Sequence, residues 1–321
     1  MVLKFKRILK MKQERLLNFC FAELMKRGYK RKNIKIGDYI YAKGEIPILL
    51  VAHLDTVHKS PPEVIVDDRT QNILWSPQGI GGDDRCGVYA VLKICEQFKP
   101  YVLFTTDEEI GCVGARKFTE DIKELPVNFI IEIDRRGNNQ VVFYSCGNKE
   151  FQGYILGFGF NKEIGSYSDV KYIAEHYDIA GCNLSAGYYN EHTTTEHIYI
   201  DHLFNTIVKV KKILKDTKNH KKYDCQKEEP YYWGDHYNYS DYYDDYYGYG
   251  YGYKYYRNDK NYTKPIEVEE KEEGTKEPKE FDDETLEFYM QMEEDYYDLT
   301  AEQWKEKYGE EKPKNLIDIY E

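Results

Sequence analysis

His53 and Asp55 stand one residue apart at the end of an apolar run, IPILLVAHLDTVH. Side chains of a strand alternate with period two, so both emerge on one face while Leu54 points to the other. An imidazole and a carboxylate placed that way can hold a metal ion or share a proton. Other acidic and imidazole residues also follow apolar runs or glycine-rich turns: Asp83 in GIGGDDRCG, Glu108 and Glu109 in YVLFTTDEE, Asp134 in FIIEID and His192 in GYYNEHTTTEH. Two imidazoles and three carboxylates suit a pair of divalent ions of zinc type, because both ligand kinds bind zinc and one carboxylate can bridge two ions. Two such ions held roughly 3.5–4 Å apart can clamp attacking and leaving oxygens and bring the pKa of bound water down to about 7.

The elements that must position these residues are legible in the hydrophobic pattern. Apolar residues from Leu16 to Met25 recur at helical spacing, with Gly28 where the helix would stop. NIKIGDYIYAKG alternates on both sides of Gly37-Asp38, which indicates a hairpin, and IPILLVA reads as a strand buried on both faces. EVIVDD and NILWS indicate a second hairpin. A helix over DRCGVYAVLKICEQF, a strand YVLFTT, a helix VGARKFTED, and strands FIIEID and VVFYS follow. A helix DVKYIAEH, a strand around DIAGCNLS and a closing helix DHLFNTIVKVKKILK complete the series. This alternation predicts a three-layer α/β/α sandwich with a mixed, mostly parallel sheet. In open sheets of this kind ligands sit beyond the carboxyl ends of the strands, which is where the candidate residues fall.

Composition divides the 321-residue chain near residue 216. Residues 1–215 hold nearly all the aliphatic patterning and are close to neutral, about +3, whereas 216–321 carry about −15, giving the overall −12. The expected organisation is a catalytic domain over 1–215 and an acidic tail over 216–321. The stretch YYWGDHYNYSDYYDDYYGYGYGYKYYRNDKNY at 231–262 has almost no aliphatic residues, so burial there cannot offset the entropy of ordering. Most of the tail is therefore expected to be disordered, with short helices near 282–297 and 300–308 that could dock on a protein partner. Its Tyr-Gly repeats lack basic clusters and its acidic balance opposes nucleic-acid binding, so no nucleic-acid partner is expected. Seven cysteines without CxxC spacing indicate neither a disulfide framework nor a cysteine zinc knuckle, and no stretch approaches a membrane span. A cytoplasmic protein is the expectation.

Four motifs, HLDT, GIGGDDRCGV, TTDEEIGCVGA and GYYNEHTTTEH, resemble in order and approximate spacing those of the di-zinc exopeptidase superfamily. That superfamily includes tripeptidase T, glutamate carboxypeptidase, acetylornithine deacetylase and single-domain aminopeptidases. The resemblance covers about residues 46–200 and does not reach the tail. It implies that His53 binds one metal with Asp55 orienting the imidazole, and that Asp83 bridges. In the family a cis peptide often follows the bridging carboxylate, which here means Asp83-Asp84. It further implies Glu109 as a ligand and Glu108 as the general base that activates a metal-bridging water and passes the proton to the leaving amine.

Asp134 should complete one metal shell and His192 the other. Glu132 shares a face with Asp134 and competes with it; Asp134 is preferred as nearer the strand end. His197 and His202 compete with His192, with Glu196 as a supporting carboxylate, and His58 and His176 read as surface or core histidines. Unlike tripeptidase T, the chain has only a short segment from Gly137 to about Ser168 where a lid domain would be inserted. Oxyanion and substrate contacts must then come from elsewhere: Tyr188, Tyr189 and Asn190 are candidates, with Tyr189 assigned to catalysis, and Arg135 or Arg136 could bind a substrate carboxylate.

The expected activity is an aminopeptidase-type exopeptidase with two divalent ions, zinc first and cobalt or manganese as alternatives. Its substrate would be a peptide or an N-acyl amino acid. A deacylase or carboxypeptidase of the same superfamily, and a catalytically silent metal-binding interaction protein, are the competing readings.

Overall fold

The computed structural model describes residues 2–144, 146–226, 300–309 and 311–312. It comprises two units, Met1–Pro230 and Tyr231–Glu321.

The first unit is built on an eight-stranded sheet. Its centre is β3 (Ile46–His53), the IPILLVA strand, whose residues Ile48 to Ala52 are fully buried. Parallel neighbours flank it on both edges, β6 (Pro100–Thr105) and β7 (Phe129–Arg135), and β7 pairs in parallel with β10 (Gly181–Ser185). Burial on both faces is why this strand reads as an unbroken apolar run. On one side the sheet ends in the antiparallel hairpin β1 (Ile34–Ile36) and β2 (Tyr39–Ala42), on the other in β8 (Gln140–Val142) and β9 (Asn161–Glu163). A small antiparallel sheet joins the second hairpin, β4 (Val66–Asp68) and β5 (Ile73–Trp75), to β11 (Tyr188–Tyr189) and β12 (His197–Tyr199). It holds the ends of the loop that carries His192.

Helices cover both faces of the large sheet. α1 (Val2–Leu9), α2 (Gln13–Lys26) and α7 (Ile200–Lys215) pack on α3 (Gly82–Cys95), which lies on β3 and β7, while α4 (Val113–Asp121) packs with α6 (Asp169–Tyr177) against β2, β6, β7 and β10. The sandwich expected from the pattern is therefore the fold. α3 turns helical only after Asp84, because Asp83 (φ −84, ψ 105) and Asp84 (φ −114, ψ 41) are extended or bridging. Asp84 Oδ1 caps it by accepting from Gly87 N at 2.8 Å. A Cβ at Gly87 would lie 2.0 Å from Ile133 O, so glycine is what lets the helix lie this close to β7.

Several elements differ from the pattern. α1 and α5 (Lys149–Leu156) were not anticipated, and VVFYS forms a strand only as far as Val142 before Tyr144 takes φ 50. The segment where a lid would be inserted holds only β8, α5 and β9. The packed chain also runs past residue 215: Tyr223 N donates to Asn128 O, Ala180 N donates to Tyr223 O, and the Tyr223 ring sits among Phe129, Phe151 and Tyr154.

In the second unit α8 (Ala301–Tyr308) begins with a capping box between Thr300 and Gln303 and ends at Gly309, φ 77, at the expected position near 300–308. The expected helix at 282–297 and the Tyr-rich stretch lie outside the described residues.

Candidate metal centre

Three strand ends and two loops supply the acidic and imidazole side chains. β3 ends on His53, which is 1% exposed. Its Nδ1 is 3.2 Å from Asp55 Oδ1, and Asp55 also accepts from the backbone N–H of Glu108 (3.0 Å) and Glu109 (3.0 Å). A single carboxylate thus orients the imidazole and pins the turn after β6. His53 Nε2 faces Asp83 Oδ1 at 3.0 Å and Asp134 Oδ1 at 3.5 Å.

The other oxygen of Asp83, Oδ2, lies 3.2 Å from His192 Nε2, which is also 3.1 Å from Glu109 Oε1. Two ligand-like groups result, His53–Asp83–Asp134 and Asp83–Glu109–His192, each with donor atoms within 4.8 Å of one another and with Asp83 common to both. The peptide between Asp83 and Asp84 is cis. Glu196 fastens this turn to the His192 loop, accepting from Gly81 N (2.9 Å) and Asp83 N (3.0 Å) and meeting His58 Nε2 at 3.1 Å.

Electrostatics shows a site short of positive charge. Burial, reinforced by Asp83, pushes Asp134 up to about 7. Burial, with the charges of Asp134, Asp169 and Glu109, pushes Glu108 up to about 9 against the pull of His53. Burial alone would lower His53, yet Asp134, Asp55 and Asp83 together raise it well above its ordinary value. Hydrogen bonds to Asp83 and Glu109 raise His192 to about 11. Carboxylates that hold protons beside imidazoles that hold protons are what a cation-binding donor set looks like when protons stand in for cations. The residues present fit divalent metal: imidazole nitrogens and carboxylate oxygens, two orienting partners, and one carboxylate with an oxygen toward each group.

Other candidates are placed differently. Glu132 turns to Ser168 Oγ and Val170 N and takes no part in the two groups. His197 Nδ1 meets Thr195 O at 3.0 Å. Tyr189, assigned to catalysis, is not brought to the cluster: its hydroxyl bonds His202 Nδ1 at 2.8 Å and its ring stacks on His197. The reason is strand alternation, which turns its neighbour Tyr188 inward, where the hydroxyl donates to Asp134 Oδ1 at 3.1 Å. Tyr188 is 3% exposed and meets a candidate ligand, not open substrate space. Asn190, φ 55, sits at the exposed loop start with its carbonyl accepting from Thr193 Oγ1. Arg136 pairs with Glu191, while Arg135 has its Nε buried without a partner among the described residues.

Two supporting residues escaped the sequence reading. Asn183 clamps Asp134 from both sides, its Oδ1 accepting from Asp134 N and its Nδ2 donating to Asp134 O, both at 2.9 Å. A lone amide in the apolar strand GCNLS was the available signal. Asp84, fully buried beside the bridge, caps α3.

Residues 38–180 match the model of peptidase family M28. Over this segment the chain is similar to the peptidases of that family. Solved structures with this fold include a tripeptidase from Staphylococcus aureus (13% identity, 66% of this chain and 96% of that chain, TM-score 0.55). The aminopeptidase PepT from Bacillus cereus is another (13%, 68% and 98%, TM-score 0.56). An aminopeptidase from the archaeon Desulfurococcus kamchatkensis is a third (16%, 66% and 93%, TM-score 0.52). A comparison with curated protein sequences gives no match. The match is to a metallopeptidase domain that uses a divalent metal. No helix among the described residues is long and apolar enough to cross a membrane.

Proposed function

We propose that the protein is an aminopeptidase-type exopeptidase that holds two zinc ions. His53 and Asp134 would hold one, His192 and Glu109 the other, and Asp83 would serve both. The observation that carries this reading is the disposition of Asp83, whose two oxygens face two different imidazoles at 3.0 and 3.2 Å. Zinc bound there supplies Lewis-acid polarisation of a peptide carbonyl and a water acidic enough to ionise near neutrality, with a pKa of about 7.

The chain's own part is proton handling and positioning. Glu108, adjacent to Glu109, accepts from the Cys112 thiol at 3.7 Å and does not join either of the two His-bearing ligand groups. It would take the proton of the attacking water and return it to the leaving amine, with the cations of the loaded site favouring its ionised form over the protonated one. Asp55 holds both ends of this arrangement, since it fixes the His53 ring and the Glu108–Glu109 backbone. The crowd of carboxylates favours a substrate that arrives with a positive amino terminus. Glu108→Gln should reduce turnover of aminoacyl chromogenic substrates by about 10²–10⁴-fold while metal content, measured by mass spectrometry, stays near that of the unaltered protein. Unchanged turnover would refute the assignment.

One observation favours a second reading. The Nε of Arg135, next to Asp134, has no hydrogen-bond partner among the described residues, and a substrate carboxylate would give its guanidinium one, which points to a tripeptide or to carboxypeptidase or deacylase action. Comparing peptides with free and amidated C-termini, and with free and acetylated N-termini, separates these substrate classes. A metallated protein that hydrolyses none of them would support a purely binding role.

A further inference from the structure

Behind the candidate catalytic glutamate lies a third group of donors, formed by Glu108, Cys112 and Asp169, with one donor atom from each within 4.8 Å of the others. Three elements supply it: the turn after β6, the residue that caps α4 and the first residue of α6. Cys112 and Asp169 are both 0% exposed. Asp169 spends one oxygen on Thr105 Oγ1, and its Oδ1 is buried with no geometrically formed hydrogen bond among the described residues. The Cys112 thiol lies between the two carboxylates and reaches Glu108 Oε1 at 3.7 Å; with one proton it cannot satisfy both. A buried carboxylate oxygen left over beside a thiol and a second carboxylate is the donor arrangement that a divalent ion completes. Of the three groups found among the described residues, this is the one that offers sulfur.

We propose that Glu108, Cys112 and Asp169 form a separate, inhibitory site for a thiophilic divalent ion of zinc type. Occupancy displaces the thiol proton to solvent and bonds the ion to Cys112 Sγ and to one oxygen each of Asp169 and Glu108. Glu108 then has one oxygen bonded to the ion, which withdraws charge from the whole carboxylate and makes it a poor acceptor for the water's proton. The inhibitory consequence rests on Glu108 acting as the general base; the binding of the ion does not. Zinc thus activates at low concentration through the His-bearing groups and inhibits in excess through the thiol-bearing one.

The experiment is a cobalt(II) titration of the full chain followed in the near ultraviolet, alongside hydrolysis rates across a zinc series. The first equivalents enter oxygen and nitrogen ligands and give no sulfur-to-metal charge-transfer band; a later equivalent gives one. Cys112→Ser should abolish the band and leave the early equivalents in place, and Asp169→Asn should move the band to higher cobalt. In the rate series, Cys112→Ser should raise the inhibitory zinc concentration by roughly 10–100-fold or more, since loss even of an outer partner costs that much affinity. A wild-type protein with no band, a band that persists in Cys112→Ser, or equal zinc inhibition in both proteins overturns the proposal. Should no peptide be hydrolysed at all, the peptidase reading fails while the cobalt band still decides the site.

Discussion

Asp55 concentrates three tasks in one carboxylate. It receives the Nδ1 side of His53 and the N–H groups of Glu108 and Glu109, and these interactions hold it ionised below the usual carboxylate range although burial opposes them. Asp55→Asn keeps the shape but offers a single acceptor oxygen, so it must abandon either the ring or part of the turn. Metal affinity should drop by roughly 10–100-fold, measured by competition with a chromogenic chelator, and turnover should drop further because Glu108 loses its anchor. Much of this site was legible in the residues themselves. His53 and Asp55 share a face because of strand period two, HLDT and TTDEEIGCVGA follow strand ends, and the glycines of GIGGDDRCGV mark a turn into a helix. What could not be read was the choice between neighbours. Tyr188 and Tyr189 are indistinguishable as letters, and only the pairing of β11 with β12 decides which one enters the interior. Glu132 and Asp134 share a face, and the partner that draws Glu132 away, Ser168, is remote in sequence.

At the scale of elements, close backbone approach sets the Glu108–Glu109 turn. A Cβ at Gly114 would lie 2.5 Å from Thr106 N and 2.7 Å from Asp38 O, so the first turn of α4 rests directly on the end of β6. Gly114→Ala should cost about 1–3 kcal/mol in denaturant unfolding, as overpacking does, and should impair turnover because it pushes on the turn bearing Glu108. Gly153, in the middle of α5 with nothing near its Cβ position, makes the contrasting case: Gly153→Ala should stabilise by about 0.5–1 kcal/mol. The helix α5 itself had a readable start, since Asn148 Oδ1 accepts from Phe151 N and Phe151 and Ile155 recur four apart on the buried side. The basic residues of α1 masked it, interrupting the apolar side on which Phe5, Ile8 and Leu9 are buried.

For the molecule as a whole, the metal-free protein and the stabilisation that metal adds should depend on pH in opposite ways. In the metal-free protein His192 is raised to about 11, and Asp134 and Glu108 to about 7 and about 9. All three bind protons more tightly folded than unfolded, so their contribution is present in full below the unfolded values and fades as pH rises toward the folded ones. The thermal midpoint of metal-free protein should therefore fall from pH 5 to pH 9. Metal needs deprotonated ligands, so the stabilisation that zinc confers should grow over that same range. Calorimetric scans with and without zinc test both slopes. The extension past residue 215 has its own test: Tyr223→Ala removes a buried ring from the Phe129, Phe151 and Tyr154 cluster and should cost about 3–5 kcal/mol.

The central claim is that Asp83 stands between two metal ions. Anomalous scattering at the zinc edge, from crystals loaded with two equivalents of zinc, addresses it directly. The account predicts two peaks roughly 3.5–4 Å apart, one beside His53 and Asp134, the other beside His192 and Glu109, with one Asp83 oxygen on each. A single peak, or zinc bound away from Asp83, contradicts it.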